Sequence, residues 1–133
     1  LLQLAAGRLC VHRGRILYGS EPVELPFEEP FRFGALDVAI TLYAVENVEI
    51  RNLNIRHYRL DGIVAHDRCQ RVRLVGVNAE ANGRAGLTVG GTSHVAAASC
   101  RFRRNLEASV RIEEFGVFEA DDCDLDSPPA ILE

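Results

Sequence analysis

Asn47-Val48-Glu49-Ile50-Arg51-Asn52-Leu53-Asn54-Ile55 returns 24 residues later as Arg71-Val72-Arg73-Leu74-Val75-Gly76-Val77-Asn78-Ala79. The same apolar positions come back 23 residues on as Val95, Ala97, Cys100 and Phe102, and again as Phe118, Ala120, Cys123 and Leu125. The internal steps of two, three and two survive each time. Residues two apart share a face of a strand, and the three-residue step places a bend between two short strands. The bend falls on Asn52, Gly76, Ser99 and Asp122, all small or polar turn formers. A third alternating segment follows in every repeat: Gly62 to His66, Gly86 to Gly90, Ser109 to Glu113 and Ala130 to Leu132. Ile63/Ala65, Leu87/Val89 and Val110/Ile112 are its expected inward pairs.

Three short strands per repeat of 22 to 24 residues describe an all-β fold. It is expected to be a right-handed parallel β-helix of about four coils, each rising about 4.8 Å, the spacing of neighbouring strands. A leucine-rich repeat is the rival, because Val45, Val48, Ile50, Leu53 and Ile55 echo its spacing. That fold should turn helical after Ile55, whereas Gly62-Ile63-Val64 and Gly86-Leu87-Thr88-Val89 alternate as strands do. Working outward, Asp37-Val38-Ala39-Ile40 fits the third strand of a preceding coil, which starts the repeats at residue 37 and carries them to 133. Residues 1 to 36 fit poorly. Pro22, Pro26 and Pro30 make Glu21 to Phe33 a loop, since proline cannot donate to a ladder, and Arg8 to Val11 with Arg15 to Tyr18 reads as a hairpin. The last residues restart the repeat, so the chain reads as a monomeric piece of a longer solenoid.

Composition narrows the function classes. Apolar residues make up 47% and charged residues 26% of 133, ordinary values for a folded chain. All 15 basic residues are Arg, and 19 carboxylates leave a net charge of −4, so no basic field invites nucleic acid. No apolar run approaches the roughly 20 residues of a membrane helix, and Leu1 to Leu9 is too short for a signal peptide. His12 and His94 have no metal-ligand spacing with Cys or Asp, so neither a metal nor a cofactor is expected. Cys100 and Cys123 share an inward register and read as stacked thiols, because in-register parallel neighbours aim both Cβ atoms the same way. Cys10 and Cys69 have no assigned role.

From Asn47 to Ile55, then Asp61-Gly62-Ile63 and Val72-Arg73-Leu74, the sequence resembles the pectin-lyase-like β-helix superfamily. That group includes polysaccharide lyases, polygalacturonase-type hydrolases and epimerases. Asn52 resembles a member of the asparagine ladder at the coil bend of these proteins. The resemblance covers residues 37 to 133 and reports fold more than chemistry. Where pectate lyases carry an Asp-His pair with a calcium-ligating Asp, this chain has Val75-Gly76. Where polygalacturonases carry their Asp-bearing segments, it has Leu60-Asp61-Gly62 and Arg84-Ala85-Gly86, so Asp61 alone matches. Asp121-Asp122 sits at the bend register instead.

The resemblance implies a groove over the third-strand column and its preceding loops, in a secreted or extracytoplasmic protein. Projected onto this chain, Asp61, His66 and Glu113 are the candidate acids and bases, although His66 and Glu113 stand two coils, or about 10 Å, apart. Arg59, Arg84, Arg103, Arg104 and Tyr58 are the candidate ligand-binding residues, the arginines suited to bidentate grip of a carboxylate. Two functions follow as expectations. One is a lyase-, hydrolase- or epimerase-like protein that acts on or binds an acidic polysaccharide. The other is a non-catalytic solenoid for surface binding or structural spacing. Convergence of Arg59, Arg84, Arg104, His66 and Glu113 on one groove would favour the first, and dispersal as exposed ion pairs the second.

Overall fold

The computed structural model describes residues 9–13, 15–18 and 35–132, and side chains for residue 13 and 35–132. Two compact units emerge, Leu1–Arg32 and Phe33–Glu133. In the first, β1 (Leu9–His12) and β2 (Arg15–Tyr18) pair antiparallel, with Leu9 opposite Tyr18, the hairpin expected from the sequence. Cys10 and the prolines of the loop lie outside the residues whose side chains are described.

The second unit is a parallel β-solenoid of about four turns. It opens with β3 (Val38–Tyr43). Each turn then lays down three strands: β4 (Glu49–Arg51), β5 (Asn54–Arg56) and β6 (Asp61–His66); β7 (Val72–Val75), β8 (Asn78–Glu80) and β9 (Ala85–Val89). The third and fourth turns bring β10 (His94–Ala98), β11 (Arg101–Arg103) and β12 (Ala108–Glu113), then β13 (Val117–Asp121), β14 (Asp124–Leu125) and β15 (Ala130–Leu132). Three parallel sheets result, in the orders β4-β7-β10-β13, β5-β8-β11-β14 and β3-β6-β9-β12-β15. The described residues contain no helix, so the leucine-rich alternative fails where its helical face should stand.

Register follows the repeat. Val95 stands opposite both Val72 and Phe118, Phe102 opposite Ala79 and Leu125, and Leu87 opposite Ile63 and Val110. These inward residues form the core, with Ile63, Leu74, Val77, Leu87, Val89, Val95, Phe102 and Val110 fully buried. Phe102 meets Phe118 edge-on within that core, ring centres 6.3 Å apart.

The corners need backbone that ordinary residues rarely adopt. Asn52, Gly76, Ser99 and Asp122 all take positive φ, at 54°, 63°, 52° and 51°. Here the expected turn formers do the expected work. Further corners repeat the device with a weaker sequence signature: His57, Ala81 and Arg104 after the second strand, Ala44, Asp67, Gly91 and Glu114 after the third, and Asn47 and Arg71 before the first. The ladder runs on through each bend, for example Asn52 N–H to Val75 O (2.9 Å), Gly76 N–H to Ala98 O (3.0 Å) and Ser99 N–H to Asp121 O (3.0 Å). Amides that stay paired to the next coil hold L-residues in the left-handed region against a local cost of about 1–2 kcal/mol each.

Asparagines do stack, at a different corner from Asn52. Asn82 Oδ1 accepts from the Tyr58 amide at 3.1 Å, Asn105 Oδ1 accepts from both the amide and Nδ2 of Asn82, and Asn105 Nδ2 donates to Ala79 O. Asn82 is buried, and this chain of amides fastens the loop entering the third sheet across three coils.

Candidate functional site

Asp61 begins β6 and has no exposed surface. Arg84, on the loop one coil later, donates from Nε to Asp61 Oδ1 at 2.9 Å and from Nη2 to Oδ2, and the Ala85 amide adds a third bond at 3.2 Å. The bond to Asp61 raises the Arg84 guanidinium further above its ordinary range, outweighing the opposite effect of burial. This fork-to-fork pair ties two coils together and leaves little of either group for a ligand.

The other arginines expected to bind ligand are also each set against a carboxylate. Arg59 Nε lies 3.3 Å from Asp37, Arg103 Nη1 3.4 Å from Asp124, and Arg104 Nη2 2.8 Å from Glu80. They also stand at different registers. Arg103 closes β11, Arg104 occupies the corner after it, and Arg59 and Arg84 belong to loops before the third sheet. Tyr58 is half-buried against the core, its amide held by Asn82.

His66 ends β6 with its ring edge-on to Tyr43, centres 4.8 Å apart. Glu113 ends β12 and accepts from Arg111 Nη2 at 2.7 Å, while Arg111 Nη1 reaches Glu107 at 3.0 Å. Gly90 falls between His66 and Glu113 in register, so two coil steps separate them. The candidate acid and base are therefore not brought together.

A depression exists elsewhere, on the outer face of the first sheet. About 500 Å³ in volume, it is lined by Asn47, Glu49, Arg71, Arg73, His94, Ala96 and Glu119 among others. A second hollow of about 320 Å³ shares Arg73, Ala96 and Glu119 with it and continues past Ala98 to Asp121. The register explains the shape. Arg73 and Glu119 flank Ala96 on the coils before and after, and Val75 and Asp121 flank Ala98. Two methyl groups thus form the floor of a trough along β10, walled by long side chains two coils, or about 10 Å, apart.

One wall carries Arg71 and Arg73, the other Glu119 and Asp121. Arg71 is engaged by Asn47 Oδ1 (2.6 Å) and Glu46 (2.9 Å), whereas Arg73 has no ion-pair partner among the described residues. At one end His94 Nε2 lies 3.1 Å from Glu119 Oε2, both well exposed. Chemically the trough offers hydrogen-bond donors on one side, acceptors on the other and an imidazole–carboxylate pair at the end. Its lining includes no Ser, Thr, Tyr or Cys to act as a nucleophile. Sequence reasoning missed this place because His94 was weighed only as a metal ligand. The available signal was His94-Val95-Ala96-Ala97-Ala98, whose outward positions are small where the neighbouring coils place Arg73 and Glu119.

Among the described residues, no group of three or more His, Cys, Asp or Glu is arranged to hold a metal ion, and no helix is long and apolar enough to cross a membrane. No protein-family model, no curated protein and no solved structure matches the chain.

Proposed function

We propose that this chain is a non-catalytic β-solenoid used for surface binding. Of the two functions expected from the sequence, this one has the better support. The observation that carries it is the dispersal of the arginines: Arg59, Arg84, Arg103 and Arg104 are each paired with a different carboxylate. His66 and Glu113, the candidate acid and base, face separate partners. A hydrolase or lyase needs an acid and a base within reach of one bond, and these groups offer none.

Assignment to a right-handed, pectin-lyase-like architecture belongs to the same proposal. Three parallel sheets, a one-residue left-handed bend and a stacked asparagine corner support it, as does the general preference of parallel crossover connections for the right hand. The test is incubation of the protein with polygalacturonate, alginate and a neutral glucan, followed for unsaturated product and new reducing ends, beside retention on the immobilised polymers. Retention without turnover is expected. Steady release of product from any of them would overturn the proposal.

A further inference from the structure

We infer that the trough along β10 is the binding site and that its ligand is an uncharged glycan lying parallel to the strand over Ala96 and Ala98. This deepens the binding reading above and rests on it. The argument begins with charge. The residues facing the trough include Glu49, Glu119 and Asp121 as well as Arg71 and Arg73, and Arg71 is already held by Glu46 and Asn47. An anionic polymer would bring each carboxylate close to Glu119 and Asp121, and to Glu49 beside its partner Arg51, with one uncommitted cation, Arg73, in return. A cationic polymer would meet Arg71 and Arg73 on the opposite wall. A hydroxyl both accepts and donates, so a polyol lying between the walls accepts from Arg73 on one side and donates to Glu119 and Asp121 on the other.

Shape agrees with charge. The walls stand two coils apart, about 10 Å between backbones, which leaves room for one chain of sugar rings once the side chains of Arg73 and Glu119 are counted. The floor offers only the methyl groups of Ala96 and Ala98, flat enough for the C–H face of a ring. An extended peptide is the weaker occupant, because recognition of a peptide strand draws on pockets for alternate side chains, and this floor has none. Neither Trp nor Tyr lines the trough to stack on a ring. Binding of a short oligomer is therefore weak, with a Kd on the order of 1 mM.

The experiment is an amide-resolved NMR titration of the whole chain with cellohexaose, maltohexaose, hexagalacturonate and an uncharged Gly/Ser/Asn hexapeptide. At least one neutral glycan is expected to shift the amides of Ala96–Ala98, Arg73 and Glu119–Asp121, more strongly than hexagalacturonate or the peptide. Ala96→Ile fills the trough from an outward position without offering an aromatic face to a sugar ring. It should weaken that binding by about tenfold or more, while Arg59→Ala leaves it unchanged. Shifts confined to β6, β9 and β12 would overturn the site yet leave the non-catalytic binding reading standing. Stronger binding of hexagalacturonate or the peptide in the trough would overturn the ligand class. Loss of no affinity in Ala96→Ile would overturn the site, and release of reducing ends would overturn the reading beneath it.

Discussion

Removal of Asp61 and removal of Arg84 should differ in cost, although each breaks the same pair. Asp61 has no exposed surface and takes three hydrogen bonds, two from Arg84 and one from the Ala85 amide. The Arg84 side chain keeps 28% of its surface in water. Breaking a buried pair from one side costs about 3–5 kcal/mol when the surviving charge has nowhere to go. In Asp61→Asn the surviving charge is Arg84, which can turn outward, and the new amide oxygen still accepts from Ala85. The expected loss is about 2 kcal/mol, close to that of one charged hydrogen bond. In Arg84→Met the surviving charge is a carboxylate sealed inside with one N–H donor, and the loss should reach about 3–5 kcal/mol.

Urea unfolding followed by circular dichroism at pH 7 reads both quantities. Equal costs for the two variants, or a larger loss in Asp61→Asn than in Arg84→Met, would refute the reasoning.

Four other outcomes are expected. Gly83→Ala should cost about 2–4 kcal/mol in urea unfolding, since a Cβ there would fall 2.0 Å from the backbone oxygen of Arg59 and only a shift of a coil relieves it. Ala81→Gly should instead stabilise by about 0.5–1 kcal/mol, because Ala81 is held at φ 55° and the relief exceeds the entropy that glycine adds to the unfolded chain. Iodoacetamide with mass-mapped sites should modify half-buried Cys123 before Cys69 and Cys100; burial also raises the Cys100 thiol pKa, so both access and ionisation protect it. Bonds from the Arg104 amide and then the Ser109 hydroxyl hold the Asp126 carboxyl below its usual range. Its contribution is therefore present above the unfolded pKa and lost as pH falls through the folded one. The stability difference between the native chain and Asp126→Asn, read by urea unfolding, should shrink between pH 7 and about pH 3.

The fold was legible because each coil restates the same constraint. A position that faces inward once must face inward one coil later, so Val72, Val95 and Phe118 carry the register even as their sizes change. Bends were legible only where the chain had chosen turn formers. Asn52, Gly76, Ser99 and Asp122 announce theirs, but Ala81 and His57 have no such preference and bend because the paired coils impose it. Burial was less legible than direction. Leu53 shares the inward register of Val77, yet Leu53 is 42% exposed and Val77 fully buried, since Leu53 lies in the first of the stacked turns.

The sites were hidden for a related reason: in a solenoid, a residue's chemical neighbours lie 23 or 24 positions away and not beside it in the chain. In the sequence Asp61 is a candidate acid or base, and only the coil that follows brings Arg84 over it. Ala96 and Ala98 become a floor only because Arg73 rises on one side and Glu119 and Asp121 on the other. In a repeat register, the neighbours of an outward residue are the residues in its own row on the coils before and after. In those rows, the informative position is the small residue between large ones as much as the charged residue itself. The first sheet, with Ala96 and Ala98 between charged walls, carries the proposed site for that reason, and the third sheet does not. There Arg111 lies across its own strand between Glu107 and Glu113 and satisfies both carboxylates from within the protein.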